Sequence, residues 1–234
     1  ERGTLVYSKI KSKEASEKIV YNTLTVPVRE RFQLVLADGT KVFLNSGSEM
    51  RYPERFGKAR REVFLKGEAW FEVAKDSARE FWVHAGAMDV KVLGTSFNVK
   101  AYERLETVAT TLVEGSVEVA CAGKSFQIVP GEQFVYDKNN RVMDVRMVDT
   151  ESYVSWKDGY YYFKREPLEN IMEVLSRWYD LNVFYHNQDL KRMEFGGRLK
   201  RYDDISYLLK KMEETQDVEF IIKGNTITVQ RKTD

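Results

Sequence analysis

The sequence predicts a mainly β N-terminal domain, a solenoid or sandwich of short strands, followed by a small α+β C-terminal domain. Three observations predict this. From Val26 to about Val145, β-formers alternate with polar residues and break at glycine turns, with no helical period between them. Beyond a linker near 146–156, apolar residues recur at the spacing of an amphipathic helix. That last third then repeats its own pattern at a fixed offset.

Residues 1–24 are mixed in charge and weakly patterned, and they read as a lead-in arm. The all-β domain is expected over 25–148. Phe32, Leu34 and Leu36 alternate with polar or smaller residues, Asp38-Gly39 supplies a hairpin turn, and Val42 and Leu44 resume the alternation. Further turns are marked by Gly67, Gly94, Gly115, Ala122-Gly123, Pro130-Gly131 and Asn139-Asn140. A faint echo links Leu65-Lys66-Gly67 running into Glu72-Val73 with Leu112-Val113-Glu114-Gly115 running into Glu118-Val119. It fits stacked β-coils as well as it fits two unrelated strand–glycine–strand units.

The C-terminal domain is expected over 149–234. Leu168, Ile171, Met172 and Leu175, followed by Trp178 and Tyr179, predict a helix over 167–179 with Pro167 in its first turn. Ile205, Leu208, Leu209 and Met212 predict a second over 203–214, with Asp203 as N-cap. Ile171 and Leu208 stand about 37 positions apart (171 to 208), as do Met172 and Leu209, and Leu175 and Met212. The same offset pairs Leu181 with Val218, Val183 with Phe220 and Tyr185 with Ile222, all at alternating strand positions. Two strand–helix–strand units follow: 160–163, 167–179 and 181–185, then 195–199, 203–214 and 218–222. Lys223-Gly224-Asn225 turns into a last strand over 226–230. This is a split β-α-β pair, two helices on a small sheet.

Composition narrows the function. The chain has 234 residues, 43% hydrophobic and 31% charged, which excludes wholesale disorder and allows one large or two modest cores. Lys+Arg number 37 against 36 Asp+Glu, with no basic block, which argues against nucleic acid as the main partner. The single cysteine, Cys121, excludes an internal disulfide and a thiolate metal cluster. No apolar run approaches the roughly 20 residues of a membrane span, and no signal-peptide core is present. The chain opens at Glu1 rather than methionine, so an N-terminal segment carrying any anchor or targeting signal is expected to precede it.

Nothing in the sequence builds a reaction centre. His84 and His186 are far apart and outside any zinc-binding pattern, and they read as structural or surface residues. Gly123-Lys124-Ser125 lacks the earlier glycine of a phosphate-binding loop, since Glu118 holds that position, and reads as a hairpin turn. Asp137-Lys138-Asn139-Asn140 begins like a calcium loop but lacks its glycine and terminal glutamate. Ser96, between Gly94 and Asn98, does not form a hydrolase elbow. No catalytic, cofactor-binding or metal-binding residue is therefore expected. Trp70, Trp82, Trp156 and Trp178 suit core packing better than sugar stacking.

The motif series resembles the periplasmic region of FecR-type anti-sigma factors. Its residues here are Asp38-Gly39-Thr40, Leu44-Asn45, Tyr52-Pro53, Phe56, Gly67-Glu68-Ala69-Trp70-Phe71-Glu72-Val73, Val92-Leu93-Gly94-Thr95-Ser96-Phe97-Asn98-Val99, Leu112 to Val117, and Pro130-Gly131-Glu132-Gln133. Asp38, Gly39, Gly67, Glu68, Gly94, Thr95, Phe97, Asn98 and Gly115 are its fold signature. The last third resembles the STN-like C-terminal domain of Bacteroidota-type members, through Trp156-Lys157-Asp158-Gly159, Pro167-Leu168 and Arg177-Trp178-Tyr179. The match runs in order over roughly 25–230. It departs after Val26-Pro27, where Val28-Arg29-Glu30-Arg31 replaces a glycine-containing stretch.

The resemblance implies a non-catalytic periplasmic sensor that takes no cofactor or small-molecule substrate. Its partner would be the signalling domain of a TonB-dependent outer-membrane receptor, and its output an extracytoplasmic-function sigma factor. The resemblance also implies a sigma-binding N-terminal segment and an inner-membrane helix, neither of which is in this sequence. The receptor contact is expected on the C-terminal domain, with 195–201 or the final strand as candidate edges and Phe195, Arg198, Arg201 and Tyr202 as candidate contacts. A carbohydrate-binding or glycan-processing β-protein is the alternative, and it requires exposed tryptophans and paired carboxylates. A cupin-like metal enzyme would need closely spaced histidines, which the sequence lacks.

Overall fold

Alternation of apolar and polar side chains along short segments makes hairpins that bury one face, and among the described residues fourteen strands build the first unit. The computed structural model describes residues 4–6, 19–201 and 203–232. The chain divides into two compact units, Glu1–Thr150 and Glu151–Asp234.

In the first unit the strands are β1 (Thr4–Val6), β2 (Tyr21–Thr25), β3 (Phe32–Val35), β4 (Lys41–Leu44), β5 (Glu49–Pro53), β6 (Arg61–Glu72) and β7 (Phe81–Ala85). They continue with β8 (Met88–Val92), β9 (Ser96–Ala101), β10 (Thr107–Glu114), β11 (Val117–Cys121), β12 (Lys124–Ile128), β13 (Glu132–Asp137) and β14 (Val142–Met147). One sheet runs β1-β3-β4-β6-β9-β10-β13-β14 and the other β2-β5-β6-β7-β8-β11-β12. Strand β6 belongs to both. Its first half pairs with β5 and β7, and its second half with β4 and β9.

Strand order in each sheet follows chain order. The chain lays a hairpin on one sheet, crosses, and lays the next on the other: β7–β8, β9–β10, β11–β12, β13–β14. The result is a sandwich wound as a coil, which joins the two architectures expected of this domain. Between the sheets lies one core, with Leu34, Val42, Val63, Phe71, Phe81, Val90, Phe97, Val119 and Phe134 at or near zero exposure. Period-two patterning places them there: in β7, Phe81, Val83 and Ala85 are buried while Trp82 and His84 face outward. Within the stretch read as an arm, β1 pairs in parallel with β3 and β2 pairs with β5, so its described parts are strands of the two sheets.

The second unit opens with α1 (Glu151–Val154) and a 3-10 turn, Ser155–Asp158, closed by Gly159 at φ 85°. Then follow β15 (Tyr160–Pro167), α2 (Leu168–Tyr179), β16 (Asn182–Tyr185), β17 (Glu194–Lys200), α3 (Ile205–Thr215), β18 (Glu219–Lys223) and β19 (Thr226–Gln230). The duplicated strand–helix–strand pattern is present, with Met172 and Leu209, and Leu175 and Met212, buried in both copies. Equivalent strands come together. The first strands, β15 and β17, pair antiparallel as a ribbon, and the second strands, β16 and β18, flank β19 in a separate three-stranded sheet.

Three details differ from expectation. Pro167 ends β15 and is the N-cap of α2, not a residue of its first turn. The final strand, β19, is central rather than an edge. The N-cap of α3 is Asp204, whose carboxylate accepts from Ser206 N, because the Asp203 N–H closes a turn onto Lys200 O at the end of β17.

Candidate recognition surfaces

In the Asp38-Gly39-Thr40 turn, the side chains of Asp38 and Thr40 form a buried polar clamp. Gly39, at φ 90°, lets the β3–β4 turn close, and Asp38 Oδ1 and Oδ2 accept from Thr40 N (3.0 Å) and Thr40 Oγ1 (2.8 Å). The same carboxylate accepts from Arg61 Nη1 at 2.8 Å. Arg61 is fully buried and also donates to Ala74 O and Arg79 O, while Thr40 Oγ1 accepts from Ala74 N. One ion pair thus ties a turn, the start of β6 and the loop after β6 together. Arg61 was not singled out from the sequence. Its signal is positional, since it precedes Val63 and Leu65 at the two-residue spacing that sends side chains into the core.

Gly67 and Gly115 sit where the chain passes between sheets. Gly67 has φ 101°, and a Cβ there would lie 2.5–2.7 Å from Ser48, at the opposite crossing from β4 to β5. Gly115 has φ 96°, and its Cβ would lie 2.8 Å from Thr95 Oγ1, at the crossing from β8 to β9. Gly94 passes just as close to Lys75. Beside these corners, Glu68 accepts from Asn45 Nδ2 (2.8 Å) and Asn98 Nδ2 (3.0 Å), all three residues being buried. Thr95 Oγ1 donates to Ser116 O, and Phe97 stacks on Phe71 at 5.2 Å in the core. Every signature residue is therefore engaged in holding corners and core.

The stretch that carries these corners and clamps matches a known family. The FecR protein family matches residues 22–118, and the FecR C-terminal family matches 160–229, in that order. The chain belongs to the FecR family. Two crystal structures of a candidate anti-sigma factor from Parabacteroides distasonis, at 1.65 and 2.50 Å resolution, align with a TM-score of 0.84 and 29% identity. The alignments cover 91% and 92% of this chain and 100% of each of theirs. No match was found among curated proteins.

In this FecR-family chain the outer face of the second sheet carries a ladder that the sequence reading missed. Arg51 lies over the rings of Tyr21 (4.6 Å) and Phe64 (4.2 Å), Phe64 stacks on His84 (4.8 Å), and Trp82 stacks near His84 (6.2 Å) with Lys91 over its own ring (5.7 Å). His84 Nδ1 is 2.7 Å from Asp89 Oδ1, and its Nε2 is 3.5 Å from Glu62 Oε1. Lys91 hydrogen-bonds Glu118, whose carboxylate holds the ammonium above the usual lysine range. Cross-strand register makes the ladder: Arg51, Phe64, His84 and Asp89 are direct neighbours on β5, β6, β7 and β8. Sequence separation hides it, which is why His84 read as isolated. His186 is exposed beyond the end of β16.

The ladder also bears on sugar stacking. Trp70, Trp156 and Trp178 are buried, and the half-buried Trp82 has its ring engaged by His84 and Lys91. Gly123-Lys124-Ser125 forms the β11–β12 hairpin, with Ala122 and Gly123 at positive φ. Asp137 caps the β13–β14 loop by accepting from Asn140 and Asn139, bonds that hold its carboxyl below the usual range. Among the described residues no three metal-ligating side chains gather, and no helix is long and apolar enough to cross a membrane.

The four candidate contacts fare unequally. Phe195 is 7% exposed and packs in the core of the second unit, and Arg201 is 2% exposed with its guanidinium 5.0 Å from the Trp178 ring. Both are corrected to structural residues, because in β17 the odd positions 195 and 199 are the buried ones and Arg201 continues that side. Arg198 is exposed and lies 4.0 Å over the Tyr160 ring. Tyr202 lies outside the described residues.

Proposed function

We propose that these 234 residues are the signal-receiving part of an envelope regulator, working by contact with partners and not by catalysis. On this reading the chain works in the periplasm. The partner is the signalling domain of a TonB-dependent outer-membrane receptor, and the regulated protein is an extracytoplasmic-function sigma factor reached through other parts of the regulator. Membership of the FecR family and the likeness to a candidate anti-sigma factor support it.

The observation that carries the reading is how the polar residues are used. In the first unit, Asp38, Arg61, Glu68, Asn45 and Asn98 are spent on buried internal bonds that stiffen a scaffold. The second unit is small and leaves a strand edge and cations in solvent, as a recognition module does. Calorimetric titration of the whole chain with the isolated signalling domain of a receptor encoded beside it tests the proposal. Saturable one-to-one binding in the range of about 1–10 μM is expected for a transient signalling contact. No heat of binding and no shift in the chain's amide spectrum would overturn it.

A further inference from the structure

Among the described residues β15 and β17 pair only with each other, and the ribbon they form has one covered edge and one open edge. On the β15 side, Tyr162 N donates to Ser155 Oγ (3.3 Å), so this edge is closed by the 3-10 turn. Tyr162 lies opposite Arg198 in the antiparallel register, and its N–H points away from β17. That makes the pair a non-hydrogen-bonded one, in which the partner's N–H and C=O also point outward. The next such pair is Tyr160 with Lys200, flanked by the Arg201 N to Gly159 O bond. The backbone groups of β17 that face the open edge therefore belong to Arg198 and Lys200; the Lys200 carbonyl already accepts from Asp203 N, which leaves both groups of Arg198 and the Lys200 N–H for a partner strand.

The side chains of these two residues are exposed cations on the outer face, beside exposed Lys164 and Arg165 at the β15 bulge. Of the nearby carboxylates, Asp158 bonds Lys157, Glu169 bonds Lys191 and Glu166 bonds Asn170, while Glu194 is exposed at the start of β17. Among the described residues none of the four cations forms an ion pair. Gly196, exposed on the same face, leaves the approach to the edge unobstructed.

We propose that the open edge of β17 receives an extended partner segment bearing two carboxylates two residues apart, set opposite Arg198 and Lys200. The segment would complete a three-stranded sheet. Its residues paired with Arg198 and Lys200 project on the same face as those cations, where opposite charges directly across strands attract. Arg198 over Tyr160 supplies the aromatic–arginine anchor common at contact centres. A nucleic acid or anionic membrane would use the charge but leave the open backbone groups unmet. The inference deepens the function proposed above, since it takes the second unit as the receiving one.

The test titrates the whole chain with a capped eight-residue peptide of alternating glutamate and threonine. Controls are the lysine–threonine counterpart and an acidic peptide N-methylated at alternate residues. The acidic peptide should bind, both controls should not, and R198E/K200E should weaken binding by about tenfold or more. Both substituted side chains are exposed, and circular dichroism checks that the variant folds. Equal binding of the N-methylated peptide, or of a single-stranded oligonucleotide or phosphatidylglycerol vesicles, would overturn strand addition. Receptor-domain binding that is indifferent to R198E/K200E overturns this inference and leaves the proposed function standing. Peptide binding without receptor-domain binding does the reverse.

Discussion

A buried carboxylate is tolerated only while its partner is present, and Asp38 depends on Arg61 in this way. Arg61→Met keeps most of the side-chain volume but leaves the Asp38 charge without its cation. It should cost about 3–5 kcal/mol in urea unfolding, seen as a fall in midpoint at unchanged slope. The double variant D38N/R61M should recover part of that loss. If Arg61→Met alone cost less than about 1 kcal/mol, the pair would not be the clamp described. Asp38 was legible as a turn residue because Asp-Gly-Thr is local. Arg61 was not, because nothing local tells a core-facing arginine from an exposed one.

At the scale of the element, β6 shows what a glycine can decide. Its two halves serve different sheets, and the turn between them needs φ 101° and contact distance to Ser48. Gly67→Ala adds the left-handed strain to a clash with Ser48 Cα, and should cost about 2–4 kcal/mol. Gly39→Ala, with nothing within 4 Å of its Cβ, should cost only about 1 kcal/mol of backbone strain. Urea unfolding of both variants checks the contrast, and equal losses would contradict the corner assigned to Gly67. The helices α2 and α3 were legible because 3.6-residue periodicity is a local property, and their duplication showed as a repeated register. The capping residue of α3 was not, since Asp203 and Asp204 are equivalent in sequence and the turn onto Lys200 selects between them.

For the whole first unit, Cys121 is an internal reporter. It is 2% exposed on β11, and burial pushes its thiol up from the usual range, so less thiolate is present at any given pH. Iodoacetamide at about pH 8 should leave the native chain unlabelled and label it fully in urea. Labelling at intermediate urea should follow the loss of strand signal by circular dichroism. Native labelling as fast as that of a free cysteine peptide would contradict the core placement.

What the sequence determined by itself was local or serial: the strands and turns, two amphipathic helices, the repeated unit, and an ordered series of motifs that marks the family. What only the tertiary structure decided was which distant residues meet. It put β15 beside β17, made β19 central, buried Phe195 and Arg201, and left Arg198 on an open edge. It also stacked His84 on Phe64 from the neighbouring strand, beside Trp82. Periodicity says that a side chain has an inside and an outside. Which strand lies alongside is set by pairing across the chain, and the charges available to a partner follow from that pairing.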